Sequence, residues 1–198
     1  MFKTIILDCD DVILDWRLGF SLWMKAKGWE VTNPYPTDQR MLGAFPGKSW
    51  DEIRVEMPDF NRSPAFSRLS FLPDAPDGVA ALRESFPDST LVILTASGAD
   101  PKTREMREIN LAGLPFDHLI MLDLHGSKAE WLAQAVKPAL FIDDHPRHAE
   151  AAANLGMTTL LFDRPWNRDH AHPAVTRISG WKAVIDLASG DLEADRAA

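Results

Sequence analysis

Five short apolar runs recur along the chain: Ile5-Ile6-Leu7, Leu91-Val92-Ile93-Leu94, His118-Leu119-Ile120-Met121-Leu122, Leu140-Phe141-Ile142 and Thr158-Thr159-Leu160-Leu161-Phe162. None alternates apolar with polar, the pattern of strands buried on both faces of a parallel sheet. Helical spacing fills the gaps between them. Val79, Leu82, Arg83 and Phe86 recur at helical intervals over Asp77 to Phe86, and Pro101 suits the first turn of a helix reaching about Leu111. Ser127 is placed to cap a helix holding Ala129, Trp131, Leu132 and Ala135, with Glu130 completing a capping box. Pro146 opens another helix, His148 to Leu155, which Gly156 closes. This alternation predicts an α/β fold, a doubly wound (Rossmann-like) parallel sheet, with ligands beyond the carboxyl ends of its strands. Four of the five runs end at, or soon meet, a polar group there: Asp8, Thr95, Asp123 and Asp143-Asp144.

One stretch breaks the alternation. No strand is evident from about Leu14 to Asp74, where Trp16, Phe20 and Trp23 share one helix face and Pro34, Pro36, Pro46, Pro58, Pro64 and Pro73 punctuate the rest. The expected organisation is an α/β core from residues 1–13 and 75–187, with a small, mainly helical cap (14–74) inserted after the first strand. The small, polar tail, 188–198, reads as frayed.

Composition narrows the function classes. The 198 residues are 45% hydrophobic and 25% charged, an ordinary globular balance that argues against disorder as the main state. A formal charge of -8 gives no global attraction for a nucleic acid polymer or an anionic membrane, so an anionic substrate needs a local cation. The single cysteine, Cys9, cannot form an intrachain disulfide, no run reaches transmembrane length, and the first residues lack the pattern of a secretory signal. A cytoplasmic protein is the expectation, as a monomer or homodimer.

The acids carry the chemistry. Asp8 and Asp10 lie two apart in an extended segment and face one volume, and Asp143-Asp144 converge on it if their strand is a neighbour. Crowded carboxylates in a poorly solvated place either keep protons or enclose a divalent cation, and an oxygen-only ligand set suits Mg²⁺ better than Zn²⁺. In Thr95-Ala96-Ser97-Gly98, a hydroxyl and backbone N–H groups can hold an anionic oxygen. Lys128 sits at a helix start, where the macrodipole disfavours a cation, so it needs a bound anion or those carboxylates for company. Together these parts equip a site for phosphoryl transfer.

The ordered set Asp8-Cys9-Asp10-Asp11-Val12, Thr95, Lys128 and Asp143-Asp144 resembles the four motifs of the haloacid dehalogenase-like hydrolase superfamily, in its phosphatase form with a small helical cap. The resemblance spans residues 5 to 144 and implies a role for each motif residue. Asp8 would be the nucleophile that becomes an aspartyl-phosphate, and Asp10 the acid for the leaving oxygen and then the base for water. Thr95, Ala96 and Lys128 would bind the phosphoryl group. Mg²⁺ would be held by Asp8, the Asp10 carbonyl and Asp144, with Asp143 adjacent. Asp11 stands where the family often has Gly. A shorter likeness, in Phe162-Asp163-Arg164-Pro165-Trp166-Asn167-Arg168 and Ile178-Ser179-Gly180-Trp181, is to the 5′(3′)-deoxyribonucleotidase branch. It implies a small phosphorylated substrate such as a nucleoside monophosphate.

Other readings compete. Carbon–halogen hydrolysis uses the nucleophile without a metal, and a phosphoacceptor module also gathers acids, Thr and Lys, though in another chain order. His145, His148, His170 and His172 raise the thought of a zinc site, but helix-start and loop histidines are the plainer reading. Cys9, between two acids, should have a raised pKa and be a poor nucleophile. Trp16, Trp23, Trp29 and Trp50 could stack on a nucleobase, although packing of the cap's own core is the simpler role.

Overall fold

The computed structural model, which describes residues 1–124 and 126–188, contains one sheet of six strands. These are β1 (Thr4–Leu7), β2 (Thr90–Thr95), β3 (His118–Met121), β4 (Ala139–Asp143), β5 (Thr158–Phe162) and β6 (Val175–Ile178). All pair in parallel, in the order β3-β2-β1-β4-β5-β6. The fold class is the one the sequence predicts. The five apolar runs are β1 to β5, and the two central strands, β1 and β4, are buried along their whole length. The edge strand β6 was not foreseen. Its Val-Thr-Arg-Ile sequence is apolar only at its ends, and it exposes both middle residues.

Successive strand residues face opposite layers. Ile5, Leu7, Ile93 and Ile142 point into one apolar cluster, and Ile6, Leu94 and Phe141 into the other. The first cluster runs without a break into the segment between β1 and β2. There α1 (Trp16–Ala26) and α2 (Trp50–Asn61) bury Phe20, Ile53 and Phe60 against a 3₁₀ turn at Phe66–Arg68. So the tryptophans Trp16, Trp23, Trp29 and Trp50 border a core continuous with the sheet, not one private to the insertion. Asp15 caps α1 by accepting from Leu18 N at 3.1 Å, and Ser49 with Glu52 forms a capping box on α2.

The remaining helices cover the sheet: α3 (Ala75–Ser85), α4 (Pro101–Asn110), α5 (Ala129–Leu132), α6 (Pro146–Asn154) and α7 (Trp181–Ala188). The expected Ser127 capping box does not form. The N-cap is Lys128, the helix is a single turn, and Ser127 Oγ accepts from Ala129 N at 3.3 Å. Lys128 is drawn inward by two carboxylates, and that sets the start of the helix in place of the cap signal. No helix among the described residues is long and apolar enough to cross a membrane. Of the tail expected to fray, 188–198, Ala188 is the last residue of α7 and the rest lies outside the described residues.

Candidate active site

The strand order reverses between β1 and β4, the place where doubly wound sheets open a crevice. Leu7 lies beside Ile142, and Asp8 N donates to Ile142 O at 2.8 Å, so Asp8 and Asp143 emerge side by side. Lys128, 1% exposed, reaches between them with Nζ 2.7 Å from Asp8 Oδ1 and 2.7 Å from Asp143 Oδ2. The other Asp143 oxygen accepts from His145 N at 2.7 Å. Next in the chain, Asp144 takes the Trp166 indole N–H on Oδ2 at 2.7 Å, and Asn167 Nδ2 donates to its backbone carbonyl at 2.7 Å. Both oxygens of Asp143 therefore have protein donors, whereas among the described residues Asp144 has a donor on Oδ2 alone.

Carboxylate oxygens of Asp8, Asp143 and Asp144 lie within 4.8 Å of one another, all three residues buried. One ammonium lies between the three carboxylates, with His148 Nδ1 3.4 Å from Asp143 and Arg17 acting on Asp144 from farther off, and the trio keeps a surplus of negative charge. The titration shifts register the imbalance. Burial pushes Asp8 up to about 6 against the pull of Lys128, with Asp143 and Asp10 adding to the rise. Burial, then Asp143, also raises Asp144 well above the ordinary carboxylate range. Asp143 goes the other way, since Lys128 and His148 outweigh its burial and hold it far below that range. A buried, all-oxygen trio with a surplus of negative charge fits one hard divalent cation such as Mg²⁺. No cluster containing the histidines of the zinc reading forms among the described residues.

Asp10 is held apart from that trio. Arg107 Nη2, from α4, donates to its Oδ1 at 2.6 Å and Oδ2 at 2.7 Å, and Thr95 Oγ1 lies 3.4 Å from Oδ2. Thr95 ends β2, and the loop behind it turns at Gly98 with φ 107°, a conformation that favours glycine. Asn61 of α2 steadies this loop: Nδ2 donates to Ser97 O at 2.7 Å while Oδ1 accepts from Trp16 Nε1 at 3.0 Å. Asp11, in the place where Gly is frequent, takes φ 59°. Its own contacts hold it there. Arg17 Nε is 3.3 Å from Oδ2, Arg17 N donates to Oδ1 at 3.1 Å, and Arg164 Nη2 donates to the Asp11 carbonyl at 2.7 Å. Burial lifts the Asp11 carboxyl to about 7 even so, with Arg17 pulling against it. The Arg17 guanidinium in turn lies 3.6 Å above the Trp166 ring.

These groups line a cavity of about 690 Å³ between the strand ends and α1 and α2. Asp8, Asp10, Thr95, Ala96, Lys128 and Asp144 all face it, while Asp143 lies behind Lys128. Asp123, also marked by the strand-end pattern, is exposed elsewhere. Trp16, Met57 and Trp50 form an apolar wall of the cavity. Gly126 lines it too, and a Cβ there would meet Asp123 O at 2.8 Å. Cys9 is fully buried and its thiol is pushed far up, first by burial and only then by its acidic neighbours.

Arg107, Arg17, Asn61 and the Trp166 contact to Asp144 were not foreseen. For Arg107 a signal exists: Thr103, Met106, Arg107 and Asn110 form one buried stripe on α4, so helical spacing turns Arg107 inward. The other three depend on contacts between distant segments.

No protein-family model matches the chain, and no curated protein matches it in sequence. Solved structures do. A haloacid dehalogenase-like family hydrolase from Streptococcus pneumoniae superposes with a TM-score of 0.64 at 18% identity, over 93% of this chain and 97% of that one. CbbY from Rhodobacter sphaeroides, solved in complex with phosphate, gives 0.60 at 16% identity, over 94% and 100%. The L-2-haloacid dehalogenase of Xanthobacter autotrophicus gives 0.58 at 17%, over 96% and 99%. The site therefore sits in a doubly wound α/β protein. More narrowly, the chain has the haloacid dehalogenase-like fold.

Proposed function

We propose that the chain is a Mg²⁺-dependent phosphomonoester hydrolase working through a phosphorylated Asp8. The observation that carries this reading is the buried trio of Asp8, Asp143 and Asp144, left with surplus negative charge beside Lys128. The metal would be held by the Asp8 and Asp144 carboxylates and the Asp10 backbone carbonyl, with Asp143 fixing Lys128 behind them. Bound there, it would offset the surplus negative charge and draw charge from the phosphoryl oxygens. Residues 14–74 act as the cap that covers the strand ends and selects the leaving group.

The reaction runs in two halves. An Asp8 carboxylate oxygen bonds to phosphorus in line as the bond from phosphorus to the leaving oxygen breaks. The Asp10 carboxyl gives its proton to that oxygen, and the alcohol departs. Water then loses a proton to Asp10 while its oxygen bonds to phosphorus, and the Asp8–phosphorus bond breaks to free phosphate. Covalent catalysis divides one difficult displacement into two. Lys128, Thr95 Oγ1 and the N–H groups of the loop at Ala96 meet the phosphoryl oxygens. The substrate we assign is a small phosphorylated metabolite, with a nucleoside monophosphate first: the likeness of residues 162–168 and 178–181 and the wall of Trp16, Trp50 and Met57 both suit a base or sugar. Carbon–halogen hydrolysis fits less well, because it leaves the charge deficit of the trio without a purpose.

The test is phosphate release from a panel of nucleoside and sugar monophosphates with Mg²⁺. Activity is expected to stop on chelation, return with Mg²⁺, and fall on the order of 10⁴-fold or more in a folded Asp8→Asn protein. Full turnover by Asp8→Asn, or halide release from a 2-haloacid in EDTA without any phosphatase activity, would overturn the assignment.

A further inference from the structure

Arg107 is fully buried and its guanidinium lies 4.2 Å over the Phe66 ring. A single nitrogen, Nη2, holds both Asp10 oxygens, while Nε and Nη1 are buried with no hydrogen-bond partner among the described residues. A buried donor without an acceptor is costly, and a well-packed apolar side chain commonly serves stability better than a buried ion pair. Packing alone does not account for an arginine here. Two features suit it to the chemistry. The grip takes one lone pair on each carboxylate oxygen, and of the remaining two only that of Oδ2 faces a further donor among the described residues, Thr95 Oγ1 at 3.4 Å, so the group can give and take a proton while it stays anchored. The anchor also belongs to the phosphate-binding face: α4 starts at Pro101, directly behind the loop that follows Thr95, and Asn110 Nδ2 on α4 donates to Phe66 O at 2.5 Å.

We propose that Arg107 is the positioning residue for Asp10, fixing its carboxyl group where it meets the leaving oxygen and then the attacking water. The inference rests on the phosphatase reading given above. It also ties proton transfer to the helical insertion, because Phe66 covers the guanidinium that holds the acid.

The experiment compares wild type, Arg107→Met, Arg107→Lys, Asp10→Asn and the Asp10→Asn double variants on two substrates with Mg²⁺. One is a nucleoside monophosphate, whose alkoxide leaving group needs a proton. The other is p-nitrophenyl phosphate, whose leaving group does not. The readout is kcat/KM, which reports the first transfer and is blind to later hydrolysis of the phosphoenzyme. A positioned acid is worth roughly 10²–10⁴-fold. Arg107→Met is therefore expected to lose about 100-fold or more on the alkyl ester and under about tenfold on the aryl ester, with Arg107→Lys between it and wild type. In the Asp10→Asn background either substitution should cost nothing more. Equal losses on both substrates, or losses that multiply with Asp10→Asn, would overturn the positioning role. If Arg107→Met fails to fold, the Arg107→Lys cycle discriminates in the same way. An inactive wild type would sink the phosphatase reading and this inference with it, an outcome distinct from an active enzyme with additive variants.

Discussion

At the ends of β1 and β4 side chains are fixed by charge. Lys128 lies 2.7 Å from both Asp8 and Asp143, and Arg107 Nη2 lies 2.6 Å from Asp10. In the wall above them, side chains are fixed by rings: Phe20 stacks on Trp16 at 4.8 Å, and Phe60 meets Trp16, Phe20, Trp23 and Phe66 at 5.4–5.7 Å. A ring contact is spread over many weak pairs, and a neighbour can shift to replace part of it. A buried charge has a few partners, and nothing nearby takes over when one is deleted. The floor of the cavity should therefore tolerate almost no change in charge, while the wall tolerates changes of shape.

Lys128→Met is the largest expected break. It leaves three carboxylates in the trio with no ammonium. Urea unfolding in EDTA near pH 8 should show a loss of about 3–5 kcal/mol, the usual result of stranding a buried charge. A loss under about 1 kcal/mol would mean the carboxylates are not held as the geometry indicates.

Acidity probes the same floor without mutation. Asp8 titrates near 6, Asp11 near 7, and Asp144 is raised as well, each above the unfolded value near 4. For an acid with a raised folded pKa, the stabilising contribution is present in acid and lost as pH rises through the folded value. The melting temperature in EDTA should thus fall from about pH 4, the unfolded value, to about pH 7, where the Asp11 carboxyl has lost its proton. Saturating Mg²⁺ should remove the part due to Asp8 and Asp144. Asp11, paired with Arg17, should keep a smaller fall, complete by about pH 7, that Asp11→Asn abolishes. A flat profile in EDTA would contradict the surplus of negative charge.

The contrast between floor and wall also explains what could be read from the sequence. The strands announce themselves because burial on both faces demands unbroken apolar runs, and the site acids because they end those runs. Asp8, Thr95 and Asp144 meet for that reason: the parallel order places their strand ends together, and Lys128 joins them from the start of α5. The supports were illegible. The Trp166 bond to Asp144 and the Asn61 bond to Ser97 O span 22 and 36 residues, and no local pattern encodes either. The edge strand β6 is half exposed and lacks the apolar run that reveals the others. The Ser127 cap was a true local signal, overridden by the pull of Asp8 and Asp143 on Lys128. Arg107 lay between these cases, visible as an inward position on α4 but not as a partner of Asp10.

Trp166→Phe sharpens the comparison, because this residue serves both regions. Its ring carries Arg17 at 3.6 Å, and its N–H orients Asp144. Phenylalanine keeps a ring and deletes the donor. Groups that orient a metal ligand commonly contribute 10–100-fold to metal affinity or activity, so calorimetric titration should show Mg²⁺ binding weakened by about tenfold with little change in the melting temperature. Unchanged affinity would mean that Asp144 needs no orienting partner.

The smallest effect is expected in the wall, at Gly19 on α1. A Cβ there would fall 2.0 Å from Leu69 Cδ2 and 3.4 Å from Phe60 Cζ. The contact that must give is the tip of a leucine that is 8% exposed, at the margin of the core. Overpacking costs typically about 1–3 kcal/mol, and alanine in place of glycine within a helix returns about 1 kcal/mol. Gly19→Ala should therefore lose no more than about 2 kcal/mol in urea, with Mg²⁺ affinity unchanged. A loss matching that of Lys128→Met would show that the wall is packed as rigidly as the floor is charged, and the distinction between the two regions would fail.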